Sequence, residues 1–176
     1  QWENSRMASL TVGIAAALEQ FHPTEILEHA ALAEKHGFSG QMAADHVQPW
    51  VPAQGEAAFV WNVLSALGMN TTGDIGPGVT CPSMRWHPSM VAQASATLAA
   101  MFPGRHWLGL GSGEALNEHI TGEYWPEAPE RINRMFEAIE IIQKLFTGSL
   151  AGKDVKHSGQ FFKMESMRLW TLPEVP

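Results

Sequence analysis

Short apolar runs alternate with segments of helical periodicity along this chain, and the runs begin about 30 residues apart, the length of a βαβ unit. Leu10 to Ala16 reads as a strand. Pro23-Thr24-Glu25 suits the first turn of a helix that places Ile26, Leu27, Ala30 and Ala31 at helical spacing and stops at Gly37. A second strand is expected from Ser39 to Ala44, a helix from Ala58 to Met69, and a third strand from Asp74 to Val79. Met90, Val91, Ala94, Leu98 and Met101 mark the next helix, Pro103-Gly104 breaks it, and Trp107 to Leu110 starts a fourth strand. Ile132, Met135, Phe136, Ile139, Ile142 and Leu145 define a long amphipathic helix from Arg131 to Phe146 with Thr147-Gly148 at its end, and Phe161 to Met164 reads as a further strand. Alternation of this kind calls for a parallel sheet covered by helices.

Four to five such units are half of a (β/α)8 barrel, whose usual length is about 250 residues. Standing alone, a half-barrel exposes two sheet edges and a broad apolar face, which natural proteins avoid. The expectation is therefore an α/β chain forming the N-terminal part of a (β/α)8 barrel, with residues 1–176 as one domain and more chain to follow. Composition agrees with a packed unit: 45% of residues are hydrophobic and 16% charged, unlike a disordered or fibrous chain. A net charge of −7 with scattered Lys and Arg argues against a nucleic-acid partner and favours a small-molecule substrate. The one cysteine, Cys81, closes no internal disulfide, which points to a reducing compartment and the cytoplasm. Gln1-Trp2-Glu3-Asn4-Ser5-Arg6 lacks the apolar core of a signal peptide, although a leader removed earlier is compatible with it. No stretch approaches the roughly 20 apolar residues of a membrane span, so no membrane partner is expected.

Two segments carry chemistry, each on the loop leaving the carboxyl end of a strand, where α/β folds keep their sites. The first is Asp45-His46-Val47-Gln48-Pro49-Trp50. His46 can exchange a proton near neutral pH, Asp45 can orient a polar partner, and Trp50 offers a flat surface with one N–H donor. These residues suit a cofactor pocket; equally, Asp45-His46 can cap the next segment while Trp50 packs in the core. The second is Gly109-Leu110-Gly111-Ser112-Gly113-Glu114-Ala115-Leu116-Asn117-Glu118. Its glycines let backbone approach a ligand and its N–H groups suit an anion, or they make a tight turn between strand and helix. The glycine spacing departs from the G-x-G-x-x-G dinucleotide fingerprint.

Taken together, Glu19-Gln20-Phe21, Asp45-His46-Val47-Gln48-Pro49-Trp50, Gly78-Val79-Thr80-Cys81-Pro82 and Gly113-Glu114-Ala115-Leu116-Asn117-Glu118 resemble the deazaflavin-dependent branch of the luciferase-like superfamily. The chain is similar to coenzyme F420-dependent glucose-6-phosphate dehydrogenases and hydroxymycolic acid dehydrogenase-like proteins over nearly its whole length. The resemblance implies a (β/α)8 barrel, often a homodimer, that binds coenzyme F420 at the carboxyl ends of its strands. It implies an oxidoreductase moving a hydride between an alcohol, such as a sugar phosphate or secondary alcohol, and C5 of the deazaflavin. His46 and Glu114 are the implied catalytic residues, with Trp50 beside the reacting centre and Glu19 in the same pocket. Asp45 and His46 would meet the ring region. Gly78, Val79, Cys81, Ser112, Gly113 and Asn117 would line the cofactor site, with a cis peptide at Gly78-Val79. Physically, His46 suits the base that takes a hydroxyl proton, and a carboxylic acid at Glu114 kept neutral by a dry pocket suits charge arising beside the ring. An FMN-dependent luciferase-like monooxygenase and a non-catalytic cofactor-binding protein are the other readings of the same barrel.

Other features carry less. In Met84-Arg85-Trp86-His87-Pro88, Arg85 reads either as an anion grip or as a solvated loop residue. Cys81 stands where relatives carry a hydroxyl, and a thiol is a weak donor. His22, His29 and His36 are spaced by sevens without a completing carboxylate, so surface histidines are expected there and no metal site.

Overall fold

The structure, a computed structural model, describes residues 11–174. Leu10, at the expected start of the first strand, the segment Gln1 to Arg6, and Val175-Pro176 lie outside the described residues.

Three parallel strands form the sheet, in the order β1 (Ile14–Ala16), β2 (Gly40–Ala43), β3 (Asp74–Pro77). Helix α1 (Pro23–Lys35) joins β1 to β2, and α2 (Val60–Asn70) joins β2 to β3. Pro23 at the first helical position starts α1, where the His22 side chain accepts from Thr24 N–H at 3.4 Å and His22 N–H donates to Glu25 Oε2 at 3.1 Å. Arg105 closes the carboxyl end of α2 and the turn beyond it, donating to the carbonyls of Gly68, Thr71 and Gly73 at 3.0, 2.8 and 2.9 Å. The register aligns Ala15 with Met42 and Met42 with Gly76 on one sheet face. Strand alternation puts Ala16, Ala43 and Ile75 on the other face, where they are buried with Leu64 and Leu67 of α2 and with Val91 and Ala92 of α3 (Pro88–Met101). Each aliphatic side chain buried there contributes roughly 1.5–3 kcal/mol.

The expected fourth strand at Trp107–Leu110 is reduced to two isolated parallel bridges, Ile75 with His106 and Thr80 with Leu110. Residues 75–80 are one longer than residues 106–110, so the β3 side carries an unpaired extra residue, a bulge that breaks a continuous ladder. The Gly78–Val79 peptide within it is cis. The indole of Trp107 lies so close over Gly76 that a Cβ there would stand 2.4 Å from it.

Past a short helix α4 (Ala115–Glu118), helix α5 runs through Ala128–Leu150 and packs on α3. The expected stop at Thr147-Gly148 is absent. Gly148 lies inside α5 because Val155 crosses there, 2.5 Å from where a Cβ would stand. The buried arc of α5 is Ala138, Ile141, Ile142 and Leu145, whereas Ile132 and Phe136 of the expected apolar stripe are exposed. The strand expected at Phe161–Met164 is displaced and is not parallel: β4 (Val155–Ser158) and β5 (Lys163–Met167) form an antiparallel hairpin outside the sheet. Glu137 of α5 fastens its turn, accepting from His157 Nε2 at 3.0 Å and from the N–H groups of Gln160, Phe161 and Phe162 at 3.1, 3.1 and 2.9 Å. Burial opposes the charge on Glu137, but His157 and these N–H groups hold its carboxyl below the usual range. No helix among the described residues is long and apolar enough to cross a membrane.

Candidate active site

The loops leaving the carboxyl ends of β1, β2 and β3, together with α4, converge on one place. Glu19 follows β1 on a tight turn and is 7% exposed. Its Oε1 accepts a short hydrogen bond from Nδ1 of His46, which sits three residues beyond β2. A carboxylate accepts, so Nδ1 carries a ring proton, and in the neutral imidazole the lone pair lies on Nε2. That lone pair faces Glu114, whose Oε1 is 3.7 Å away, too far for a hydrogen bond. His46 thus stands between two carboxylates with one nitrogen fixed and the other free. Trp50 meets the imidazole edge to face at a centroid distance of 5.0 Å and is itself 56% exposed.

Asn117, fully buried on α4, links both sides of this gap. Its Nδ2 donates to Glu114 Oε1 at 2.6 Å, while its Oδ1 accepts the N–H groups of Val47 and Gln48 at 2.7 and 3.0 Å. Gln48 Nε2 adds a bond to the Leu116 carbonyl at 2.8 Å. Gly113 precedes Glu114 with φ +82°, a left-handed turn that glycine adopts without steric cost, and this lets the chain swing into α4.

The Asp45 side chain faces inward and is 1% exposed. Oδ2 accepts from Thr80 Oγ1 at 2.5 Å and Trp86 Nε1 at 2.9 Å, and Oδ1 from Arg85 at 3.1 Å. Arg85 is neither solvated nor open to an external anion: its guanidinium also reaches the Asp45 carbonyl at 2.7 Å and Glu118 Oε1 at 3.4 Å. Sequence inspection missed Glu118, whose burial pushes its carboxyl up against the opposing pull of Arg85. Burial and the neighbouring Glu118, Glu114 and Asp45 push the Cys81 thiol up to about 12, so it remains a neutral, weakly donating group beside Gly111 and Gly113. Ser112 is half-buried in the same loop. Glu114 keeps 37% of its side chain exposed.

Below this polar rim Met42, Trp107 and Val79 form a partly exposed apolar floor, in which the Trp107 indole covers the buried Gly76. Met42 abuts Gly78, and Val79 abuts Gly109 and Gly111. A flat apolar floor beside a proton-exchanging rim fits a planar heterocyclic cofactor. Among the described residues, no group of three or more His, Cys, Asp or Glu side chains is placed to hold a metal ion.

Parallel βα units with a titratable rim at their carboxyl ends define the class, and the family comparison agrees: residues 5–176 match the model of the luciferase-like monooxygenases, and the chain belongs to that family. It is 43% identical over 166 residues to an F420-dependent glucose-6-phosphate dehydrogenase of Microbacterium testaceum, covering 94% of this chain and 48% of that protein. It is 39% identical over 170 residues to the F420-dependent hydroxymycolic acid dehydrogenase of Mycobacterium tuberculosis, covering 96% of this chain and 46% of that one. Among solved structures, an F420-dependent secondary alcohol dehydrogenase in complex with an F420-acetone adduct superposes with a TM-score of 0.89 at 37% identity, over 94% of this chain and 50% of its own. The chain thus spans about half the length of the relatives it matches.

Proposed function

We propose that this chain forms the first βα units of an F420-dependent oxidoreductase that exchanges a hydride with an alcohol carbon. The observation that carries this reading is the Glu19–His46–Glu114 constellation beside an apolar floor. The similarity to relatives named as F420-dependent dehydrogenases of a sugar phosphate and of hydroxymycolic acid supports it.

In this reading Met42, Val79 and Trp107 supply the floor for the deazaflavin, and Gly78, Cys81, Ser112 and Gly113 border it. Asp45 and Asn117 hold the surrounding loops rather than the ring. Bound coenzyme F420 supplies a two-electron hydride acceptor. His46 is the base: its Nδ1–H is committed to Glu19, so Nε2 takes the hydroxyl proton as the alcohol is oxidised. Glu19 fixes the tautomer and steadies the imidazolium that results. Glu114, held by Asn117, lies within charge range of that imidazolium and is placed to take part in the same proton exchange. Trp50 walls the substrate side and excludes water from His46.

Residues 1–176 act as one domain in this reading, and the assembled protein is a homodimer of the cytoplasm. Support for the dimer comes from an apolar groove of about 310 Å³ between α2 and α3, lined by Phe59, Trp61, Trp86, Met90 and Leu98, with Phe59 and Met90 exposed at its mouth. A buried, unpaired thiol at Cys81 suits a reducing compartment.

Titration of the intact protein with oxidised coenzyme F420, followed by candidate alcohols including glucose 6-phosphate, tests the reading. Tight binding and bleaching of the deazaflavin absorbance are expected. Binding of FMN in its place with oxygen-dependent turnover, or binding of neither, overturns it.

A further inference from the structure

One buried cation ties together three of the four segments that form the rim. Arg85, on the loop beyond β3, has a side chain only 8% exposed. Its guanidinium bonds the carboxylate and the main-chain carbonyl of Asp45, the residue immediately before His46. It also reaches Glu118 Oε1, and its own backbone N–H donates to Glu118 Oε2 at 3.0 Å. Glu118 in turn follows Asn117, the side chain that holds Glu114 and the N–H groups of Val47 and Gln48. On one side of the His46–Glu114 gap Asn117 and Gln48 stitch the β2 loop to α4; on the other Arg85 does the same through Asp45 and Glu118. A planar fork of donors can serve two carboxylates and a carbonyl at once, which a point charge cannot.

We infer that Arg85 is a positioning residue that sets the separation of His46 and Glu114 by clamping Asp45 and Glu118 from behind. Its hydrogen bonds go to Asp45 and Glu118 and not to the floor residues or the His46 side chain, so its removal should affect the chemical step more than cofactor binding. A shift of about 1 Å between reacting groups costs on the order of 100-fold in rate.

This inference rests on the hydride-transfer reading of the site, and its test separates the two. In the intact protein, wild type, Arg85→Lys and Arg85→Ala are compared in three ways. The first is F420 affinity by fluorescence, the second kcat and KM for the alcohol well below each melting temperature, and the third the ring N–H signal of His46 in proton–nitrogen NMR spectra without cofactor. Both variants should bind F420 within about threefold of wild type and keep KM, while kcat falls about 10- to 100-fold. The exchange-protected His46 ring proton should be lost. Arg85→Lys keeps the charge without the fork and should melt closer to wild type, which guards against a variant that fails to fold. Unchanged kcat and an unchanged His46 signal in Arg85→Lys overturn the inference, as does an affinity loss that parallels the loss of kcat. If wild type neither binds nor reduces F420, the deazaflavin reading fails, and the His46 signal alone decides the role of Arg85.

Discussion

A histidine between two carboxylates performs directional proton chemistry only if one of its nitrogens is committed. Glu19 does this for His46, and Asn117 holds the second carboxylate 3.7 Å from the free nitrogen. Replacing His46 by Ala should lower the single-turnover rate of deazaflavin reduction by roughly 100-fold or more while leaving F420 affinity near wild type; an unchanged rate removes it from the role of base. His46, Trp50 and Glu114 were legible in the sequence because each lies on a polar stretch directly after an apolar run. The inward turn of Asp45 and the clamp of Arg85 were not. The partners of Arg85 lie 33 and 40 residues away in the chain, and no local pattern marks an arginine whose acceptors come from two other loops.

Among the elements, those with their own periodicity and caps were readable, and those defined by a neighbour were not. Helix α1 announces itself through Pro23, Glu25 and Gly37, and α2 through its apolar run. Gly148 reads as a helix stop, yet α5 continues because Val155 requires the missing side chain. The segment at Trp107–Leu110 has strand composition, but the bulge opposite leaves it only two bridges. The β4–β5 hairpin depends on Glu137, a contact across more than 20 residues. Since the Glu137 carboxyl is held below its ordinary value of 4.5 in the folded chain, the stability it contributes is present above that value and is lost as pH falls through the lowered one. Amide exchange at Phe161 and Phe162 should therefore accelerate, relative to the intrinsic rate, as pH falls through the lowered Glu137 titration, and Glu137→Gln should flatten that dependence.

For the whole molecule, the proposed homodimer would pair through the apolar groove between α2 and α3. Light scattering of the intact protein should give twice the chain mass, and Met90→Glu, which places a charge at the mouth of the groove, should shift it toward the monomer; a dimer that persists unchanged assigns the groove elsewhere. Transfer of a hydride from the alcohol carbon is the decisive step. An alcohol carrying deuterium on its carbinol carbon, mixed with the intact protein and oxidised coenzyme F420, reports on it directly. Deuterium in the reduced coenzyme, with slower bleaching than for the unlabelled alcohol, is the expected result. Reduced coenzyme without label, or no reduction by any alcohol despite tight binding, would contradict hydride transfer from an alcohol at this site.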